Sequence, residues 1–284
     1  MFKTLSNKPL ARMLIKAQKE VFSKIVGDNN SKNKGSGYDF VELREYESGD
    51  DIKHIDWIIS SKMQKPHVKI FHQQRELNVV ICPILTGSLH FGTKILKREV
   101  LNEACALISY SCVRQNDPFE SLIGNEDVVL NGKRSKDLFA VRRLAEKIAS
   151  YEVLGRSAHW KKISSRLYTL LRKKSLVFLV GDFFDTKELD LGAFSMKHEV
   201  IIIIIRDRFE EDPALLAKIN ITDPNTKESA FININTKALK TIKKKILQED
   251  QELYQKLHKL GIRFVKIYTD ENPAEKIFPL LRSA

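Results

Sequence analysis

The chain alternates between short apolar runs and longer stretches in which apolar residues recur at every third or fourth position. The short runs predict strands buried on both faces, and the longer stretches predict amphipathic helices. Such alternation is typical of an α/β domain with a mostly parallel, Rossmann-type sheet and helices on both of its faces. The strand runs are 77–85, 119–125, 127–130, 175–182, 199–205 and 263–270.

A helix is predicted at the start of the chain, over residues 9–26, because apolar residues lie three and four apart with lysines opposite them. We expect this apolar stripe to pack on the protein's own body, and a role at a membrane surface is the alternative. The stripe consists of Leu10, Leu14, Ala17, Val21 and Ile25. Further helices are predicted over 96–108, 138–148, 160–170 and about 236–260.

The stretch from Phe40 to Phe71 has neither a clean two-residue nor a clean 3.6-residue apolar repeat. It reads FVELREYESGDDIKHIDWIISSKMQKPHVKIF and is dense in charged and aromatic residues, with Gly49 as a turn residue. A short strand is predicted at 67–71. We expect specific side-chain contacts to organise the rest of this stretch.

Composition indicates a globular protein of a reducing compartment. The chain has 284 residues, of which 43% are hydrophobic, and no run approaches the roughly 18 apolar residues that a spanning helix needs. The first residues lack the apolar core and cleavage site of a secretory signal. Three cysteines are an odd number that suits packing better than disulfide or metal bonding. We therefore expect a cytoplasmic protein.

The formal net charge of +12 leaves open a basic protein that binds nucleic acid or an anionic membrane surface. The basic residues are spread over several short clusters, and no aromatic residues are interleaved with them as in stacking platforms. Nucleic-acid binding is therefore not favoured, and peripheral membrane contact is kept only as an alternative.

Candidate chemistry lies where two predicted strands end. The first strand runs into the loop containing Thr86 and Ser88, and a later strand runs into Asp182 and Asp185. The carboxyl ends of parallel strands form the functional edge of such a sheet, so these loops are expected to be neighbours. Hydroxyl and carboxylate oxygens are the hard ligands that Mg²⁺ accepts.

At these residues the chain resembles the von Willebrand factor A-like domain, whose metal-ion-dependent adhesion site uses an Asp-x-Ser-x-Ser loop, a Thr and a later Asp. More closely, it resembles the bacterial family of unknown function that is encoded with MoxR-type AAA+ ATPases. The family's long polar segment stands here as GSGYDFVELREYESGDDIKHIDW, from Gly35 to Trp57, which we call the signature segment. SLHFGT, RDRFE and ITDP also match family patterns.

The resemblance implies a degenerate metal site. It places Thr86 and Ser88 on the metal loop, Ser157 within a residue of the family's Thr, and Asp182 on the later Asp. The loop's own aspartate position falls on Ile84, so the anionic anchor is missing. Neutral oxygens alone compete poorly with water for a divalent cation, so we expect a vestigial, metal-free site, with a working Mg²⁺ site as the alternative.

The signature segment allows two interpretations. The first is a docking platform for a partner or for the protein itself, with Arg44 paired to Asp50 or Asp56 and Trp57 as an apolar anchor. The second is a clamp that pins the segment onto the A-like domain through buried ion pairs and one aromatic, and both can hold together. The division expected from the resemblance is a helix and loop at 1–34, the clamp at 35–76 and the A-like domain at 77–284. The signature residues are Arg44, Tyr46, Gly49, Asp50, Asp51, Asp56 and Trp57.

No catalytic constellation is found. The seven histidines lack metal-ligand spacing, Ser88 lacks a nucleophile elbow, His54 is expected to be exposed or ion-paired, and there is no Walker-type loop. The resemblance implies a non-enzymatic adaptor or substrate-binding partner of a MoxR-type AAA+ ATPase, which handles a client protein during assembly or maturation. The alternatives are an Mg²⁺-dependent adhesion-type or hydrolytic site and a basic binder of nucleic acid or membrane.

Overall fold

A computed structural model describes residues 8–28, 39–72, 77–212, 217–234 and 236–282. The chain divides into two compact units, one made of residues 1–25 and 77–284 and the other of residues 26–76. Among the described helices, none is long and apolar enough to cross a lipid bilayer.

The described residues form helices and strands that alternate through most of the larger unit. The helices are α1 (Lys8–Asp28), α2 (Trp57–Met63), α3 (Lys97–Gln115), α4 (Leu138–Ser150), α5 (Trp160–Leu170), α6 (Gly192–Lys197), α7 (Arg208–Glu211), α8 (Thr236–Lys259) and α9 (Pro273–Arg282). The strands are β1 (Asp39–Glu45), β2 (His67–His72), β3 (Val79–Pro83), β4 (Phe119–Gly124), β5 (Val128–Ser135), β6 (Leu176–Gly181), β7 (Glu199–Arg206), β8 (Ala217–Thr222), β9 (Ser229–Ile234) and β10 (Arg263–Tyr268).

The central sheet has the order β10-β7-β6-β3-β4-β5. All neighbours are parallel except β5, which runs antiparallel to β4 at one edge. Counted in chain order within this sheet and read from the β5 edge, the strands follow the 3-2-1-4-5-6 order of Rossmann-type folds. The predicted fold class is confirmed. The point where the strand order reverses lies between β3 and β6.

Both faces of the sheet are buried, because successive residues of each strand point to opposite sides. On β3, Val79 and Ile81 join one apolar core and Val80 and Cys82 join the other. The isoleucines of β7 divide between the two cores in the same way. This burial explains why these strands read as continuous apolar runs instead of alternating ones.

Proline limits the pairing of β3. The strand pairs with β6 as far as Pro83, opposite Val180, but its continuous pairing with β4 ends at Ile81. Proline has no N–H to donate, so the ladder on one side stops before it. Ile84 then makes a single bridge to Gly124.

Helix α1 packs its apolar stripe against the rest of the larger unit, as predicted. Ala17 and Val21 are completely buried in one of the two cores, and Met13 and Leu14 pack against it. On the polar side, Lys16 Nζ lies 2.6 Å from a carboxylate oxygen of Glu103 on α3.

The sequence-based prediction did not include the β1 strand, the β8–β9 hairpin or the helices α2, α6, α7 and α9. β1 pairs antiparallel with β2 in the smaller unit, and β8 pairs antiparallel with β9 in the larger one. These strands are short and mix charged or amide residues with apolar ones, and α2 has only seven residues. Such segments are too short for periodicity to identify.

Candidate functional site

Three of the four candidate metal ligands meet at the point where the strand order of the sheet reverses. The hydroxyl oxygens of Thr86 and Ser88 are 2.9 Å apart, and the Ser88 side chain is one of the groups that lower the pKa of Asp182. All three side chains are buried. The fourth residue, Ser157, donates its backbone N–H to Glu126 Oε1 at 3.2 Å. The loops therefore converge as the parallel sheet predicts.

A lysine that the sequence reasoning missed lies inside this group. Lys97, the first residue of α3, places its Nζ 3.0 Å from Asp182 Oδ2 and 2.6 Å from Glu210 Oε1, and its exposed fraction is 0%. Glu210 belongs to a capping box with Asp207 at the start of α7. The spacing of Asp207 and Glu210 is a sequence signal for that cap, whereas nothing in the sequence distinguishes Lys97 from the solvated lysines around it.

The ionisation of the two carboxylates follows from this geometry. Burial alone would raise the pKa of Asp182, but the nearby Lys97 charge and the Ser88 hydrogen bond outweigh burial and lower the pKa from 3.8. For Glu210, burial is the stronger influence and raises the pKa above 4.5 in spite of Lys97. Asp182 is therefore held as a carboxylate beside the ammonium group.

Asp207 fastens the loops that surround this group. Its carboxylate accepts hydrogen bonds from the Thr93 backbone N–H at 2.8 Å, the Thr93 hydroxyl, the Thr269 hydroxyl at 2.6 Å and the Phe209 N–H at 2.9 Å. Burial raises the pKa of Asp207, but these donors outweigh burial and lower the pKa from 3.8. One side chain thus connects the ends of β7 and β10 with the segment before α3.

A second group of buried charges continues along the same edge of the sheet. Arg206 is 1% exposed, donates to Asp250 Oδ1 at 2.8 Å and stacks 3.5 Å from the centroid of the Phe184 ring. Lys266 Nζ lies 2.6 Å from Asp250 Oδ2 and 2.7 Å from Glu211 Oε1. Burial would lower the pKa of Lys266, but these hydrogen bonds outweigh it and raise the pKa. Asp250 thus joins Arg206 to Lys266, whereas Arg206 Nε and Nη1 have no hydrogen-bond partner among the described residues.

The turn of the β8–β9 hairpin covers the loop after β3. Asn225 Oδ1 accepts a hydrogen bond from the Ser88 backbone N–H at 3.0 Å, and the Pro224 carbonyl accepts one from Gly155 N–H at 2.8 Å. A Cβ at Gly87 would lie 2.0 Å from the Pro224 carbonyl oxygen. Only glycine fits at this position, because the two backbones approach so closely.

The residues present do not fit the divalent cation of an adhesion-type site. The Lys97 ammonium bonds to Asp182, the carboxylate that would hold the ion, and the hydroxyl groups of Thr86 and Ser88 are hydrogen-bonded to each other. Ile84, at the position of the missing aspartate, is 1% exposed and belongs to the apolar core. No cluster of three or more His, Cys, Asp or Glu side chains suited to a metal ion occurs in the described part of the chain.

In the smaller unit, the signature segment uses its polar residues to build its own turns. Arg44 pairs with Asp50 at 2.7 Å, and the other carboxylate oxygen of Asp50 accepts from the Glu47 N–H at 2.9 Å. The Glu47 hydrogen bond and Arg44 together lower the pKa of Asp50. Gly49 has φ +115°, a conformation that favours glycine, and the Tyr46 N–H donates to the Pro66 carbonyl at 2.8 Å.

The other two signature aspartates begin helical turns. Asp51 accepts from the Lys53 N–H at 3.0 Å at the start of a 3-10 turn. Asp56 caps α2 by accepting from the N–H groups of Ile58 and Ile59, and it pairs with Lys69 at 2.6 Å. The Lys69 hydrogen bond and the helix N–H groups lower the pKa of Asp56. Of the two pairings predicted for Arg44, the structure forms the one with Asp50.

The same turns leave large apolar side chains in solvent. Trp57 is 67% exposed and Ile58 is 72% exposed. The indole of Trp57 is therefore not packed in a core of the smaller unit, and its use as an anchor against another surface stays a prediction. We call the following four side chains the exposed apolar set: Ile52, Trp57, Ile58 and Met63.

Comparison with known proteins identifies relatives of undetermined function. Uncharacterized proteins of Mycobacterium tuberculosis and Mycobacterium bovis are 31% identical over 100 residues, 35% of this chain and 32% of each relative. The match thus spans about a third of the length of those relatives.

Solved structures with a similar fold include the conserved hypothetical protein BatB from Bacteroides thetaiotaomicron, with 10% identity and a TM-score of 0.44 over 73% of this chain and 98% of that one. An aerotolerance-related membrane protein from Bacteroides fragilis has 9% identity and a TM-score of 0.40 over 70% of this chain and 94% of that one.

Residues 42–252 match a single family, well over half of the chain. The protein therefore belongs to the family described as protein of unknown function DUF58.

Proposed function

We propose that this chain is a non-enzymatic protein-interaction module that binds its partner through the exposed apolar set, which lies at the end of the signature segment and on α2. The observation that carries the proposal is the exposure of Trp57 and Ile58, which are adjacent in sequence at the start of α2. Tryptophan is among the residues that most often dominate the binding energy of protein interfaces.

The way the signature segment is built supports this proposal. Its aspartates cap turns or pair with Arg44 and Lys69, so its polar residues serve the local fold. The side chains left for a partner are the apolar ones. A short helix fixed by an Asp56 cap presents Trp57 in a defined orientation, which lowers the entropy lost on binding.

The partner that we propose is a MoxR-type AAA+ ATPase, with this chain as the adaptor or substrate-binding subunit that brings a client protein to it for assembly or maturation. The support is the resemblance of the signature segment, from Gly35 to Trp57, to the family encoded with those ATPases. Two adjacent exposed apolar side chains fit a partner surface with an apolar pocket.

We also propose that the chain catalyses no reaction. The buried charges around Asp182 and Asp207 are bonded to one another, which suits a structural role better than proton transfer to a substrate. We also propose a cytoplasmic location, because the three cysteines are buried and unpaired, as is usual in a reducing compartment.

Co-purification tests the proposal. The chain carrying an affinity tag is expressed in its own host together with the MoxR-type ATPase, and ATP turnover of the purified ATPase is measured with and without the chain. We expect the two proteins to co-purify and the turnover rate to change when the chain is added. Neither co-purification nor a change in turnover, with both proteins folded, would reject the ATPase as the partner.

A further inference from the structure

We infer that the Lys97 ammonium group is the permanent cation of this site and takes the structural place that a divalent ion has in adhesion-type A-like domains. The inference concerns the sheet edge and is independent of the proposed partner surface. It rests on the hydrogen bonds of Lys97, the burial of the site and its coverage by the β8–β9 turn.

The hydrogen-bonding capacity of Lys97 matches its surroundings. An ammonium group has three N–H donors. Asp182 Oδ2 and Glu210 Oε1 lie at hydrogen-bond distance from Nζ, and the Phe184 ring centroid lies 5.1 Å from Nζ, within the range of a cation–π contact. The cation is therefore enclosed by two carboxylates and an aromatic face.

A divalent ion cannot share this position with Lys97. Any ion bound to the same Asp182 oxygen would lie within a few ångströms of Nζ, and like charges repel strongly in a buried, water-poor site. The charge that would normally favour the ion is also missing, because Ile84 in the apolar core replaces the loop aspartate. Lys97 excludes the metal by repulsion, and Ile84 supplies none of the negative charge that would favour it.

The site also lacks the open side that a binding-type metal needs. An adhesion-type ion must keep one coordination position for the partner's carboxylate. Here the β8–β9 turn lies on the loop, through the Asn225 bond to Ser88 N–H and the close approach of Pro224 to Gly87. The site is therefore closed by the chain's own residues. We assign Lys97 as a positioning residue that joins the start of α3 to the ends of β6 and β7.

Metal titration of three proteins tests this inference: the wild type, Lys97→Ala, and Lys16→Ala as a control that removes a half-exposed lysine bonded to Glu103. Thermal midpoints are measured in EDTA and in millimolar MgCl₂ or MnCl₂, and the wild type is also titrated with both metals by calorimetry. For the wild type we expect no heat of metal binding. For the wild type and Lys16→Ala we expect the same thermal midpoint in EDTA and in metal. Lys97→Ala should melt lower in EDTA, and millimolar Mg²⁺, Mn²⁺ or methylammonium should raise its midpoint saturably, because a small cation can now bind beside the carboxylates of Asp182 and Glu210.

Three results would overturn the inference. These are saturable metal binding by the wild type, a wild-type midpoint for Lys97→Ala in EDTA, and a lowered midpoint that neither metal nor methylammonium raises. If Lys97→Ala does not fold, Lys97→Arg and Lys97→Met separate charge from size. The thermal midpoint of Lys97→Arg must then lie closer to that of the wild type than the midpoint of Lys97→Met does. The reverse order would show that Lys97 serves packing only.

Discussion

The side-chain carbonyl of Asn225 accepts a hydrogen bond from the backbone N–H of Ser88 at 3.0 Å, across 137 residues of chain. This bond joins the turn of the β8–β9 hairpin to the loop that follows the first strand of the sheet. The loop has the small hydroxyl residues of a metal-binding loop, yet its outer side is bonded to the protein itself. The contact fixes the loop through the chain's own residues.

Replacing Asn225 by Ala should speed hydrogen exchange at the Ser88 amide, because that N–H loses its acceptor. The free energy of unfolding should fall by about 1 kcal/mol, the usual net value of one hydrogen bond. Amide exchange followed by NMR or by mass spectrometry of short peptides measures the first effect, and denaturant titration measures the second.

The matched control is Glu228→Ala, an exposed residue of the same hairpin. It should leave exchange at Ser88 unchanged. Unchanged exchange in Asn225→Ala as well would show that the hairpin turn does not protect the loop.

The pattern of apolar residues was sufficient to predict the central sheet and the five longest helices. Runs such as Glu199–Arg206 are apolar on both faces because helices cover both faces, and few other folds require that. The pattern also placed Thr86, Ser88 and Asp182 at one edge. It could not find Lys97, because the partners of that lysine lie 85 and 113 residues away in sequence.

Acid should destabilise the protein through Asp207 and Asp182. Both carboxyls have pKa values lowered from 3.8, so their contribution to stability is present above that pH and is lost as the pH falls through the lowered values. Replacing Asp207 by Asn removes one of these groups and weakens the hydrogen bonds from Thr93 and Thr269. We expect a loss of about 1.5–3 kcal/mol at pH 7, as for hydrogen bonds to a charged group.

The free energy of unfolding, measured by urea titration between about pH 7 and pH 2, should therefore fall less steeply with acid in Asp207→Asn than in the wild type. Glu188→Gln, which replaces an exposed carboxylate, should follow the wild-type curve. Parallel curves for Asp207→Asn and the wild type would contradict the assigned role of Asp207.

The cysteines should be unreactive while the protein is folded. All three are buried, and burial raises the pKa of Cys82 to about 12 and raises the pKa values of Cys105 and Cys112 as well. Since the thiolate is the reactive form, an aromatic disulfide reagent at about pH 8 should label three thiols in denaturant and react only slowly with native protein.

A Met196→Cys variant provides the positive control, because that side chain is 90% exposed in the wild type. It should react at once with one additional equivalent of reagent. Rapid labelling of the native wild type would mean that the core opens far more often than its packing indicates.

The turns of the signature segment show what a search for apolar repeats cannot find. Its charged residues stand out in the sequence, and they were interpreted as a docking platform or a buried clamp. In the structure Asp50, Asp51 and Asp56 build turns and caps, and Trp57 is exposed. Periodicity could not show this, because turn and cap hydrogen bonds leave no apolar repeat.

If a MoxR-type ATPase binds the exposed apolar set, its affinity for the chain must depend on Trp57 and Ile58. The most direct measurement is the dissociation constant of that ATPase for three purified proteins: the wild type, the double variant Trp57→Ala/Ile58→Ala, and Phe139→Ala. Phe139 is a matched control, because it is an aromatic residue with 79% exposure in the larger unit.

We expect the double variant to bind about tenfold more weakly or worse, since truncation of an interface tryptophan commonly costs more than 1.4 kcal/mol. Phe139→Ala should bind as the wild type does. Wild-type affinity for the folded double variant would contradict the claim.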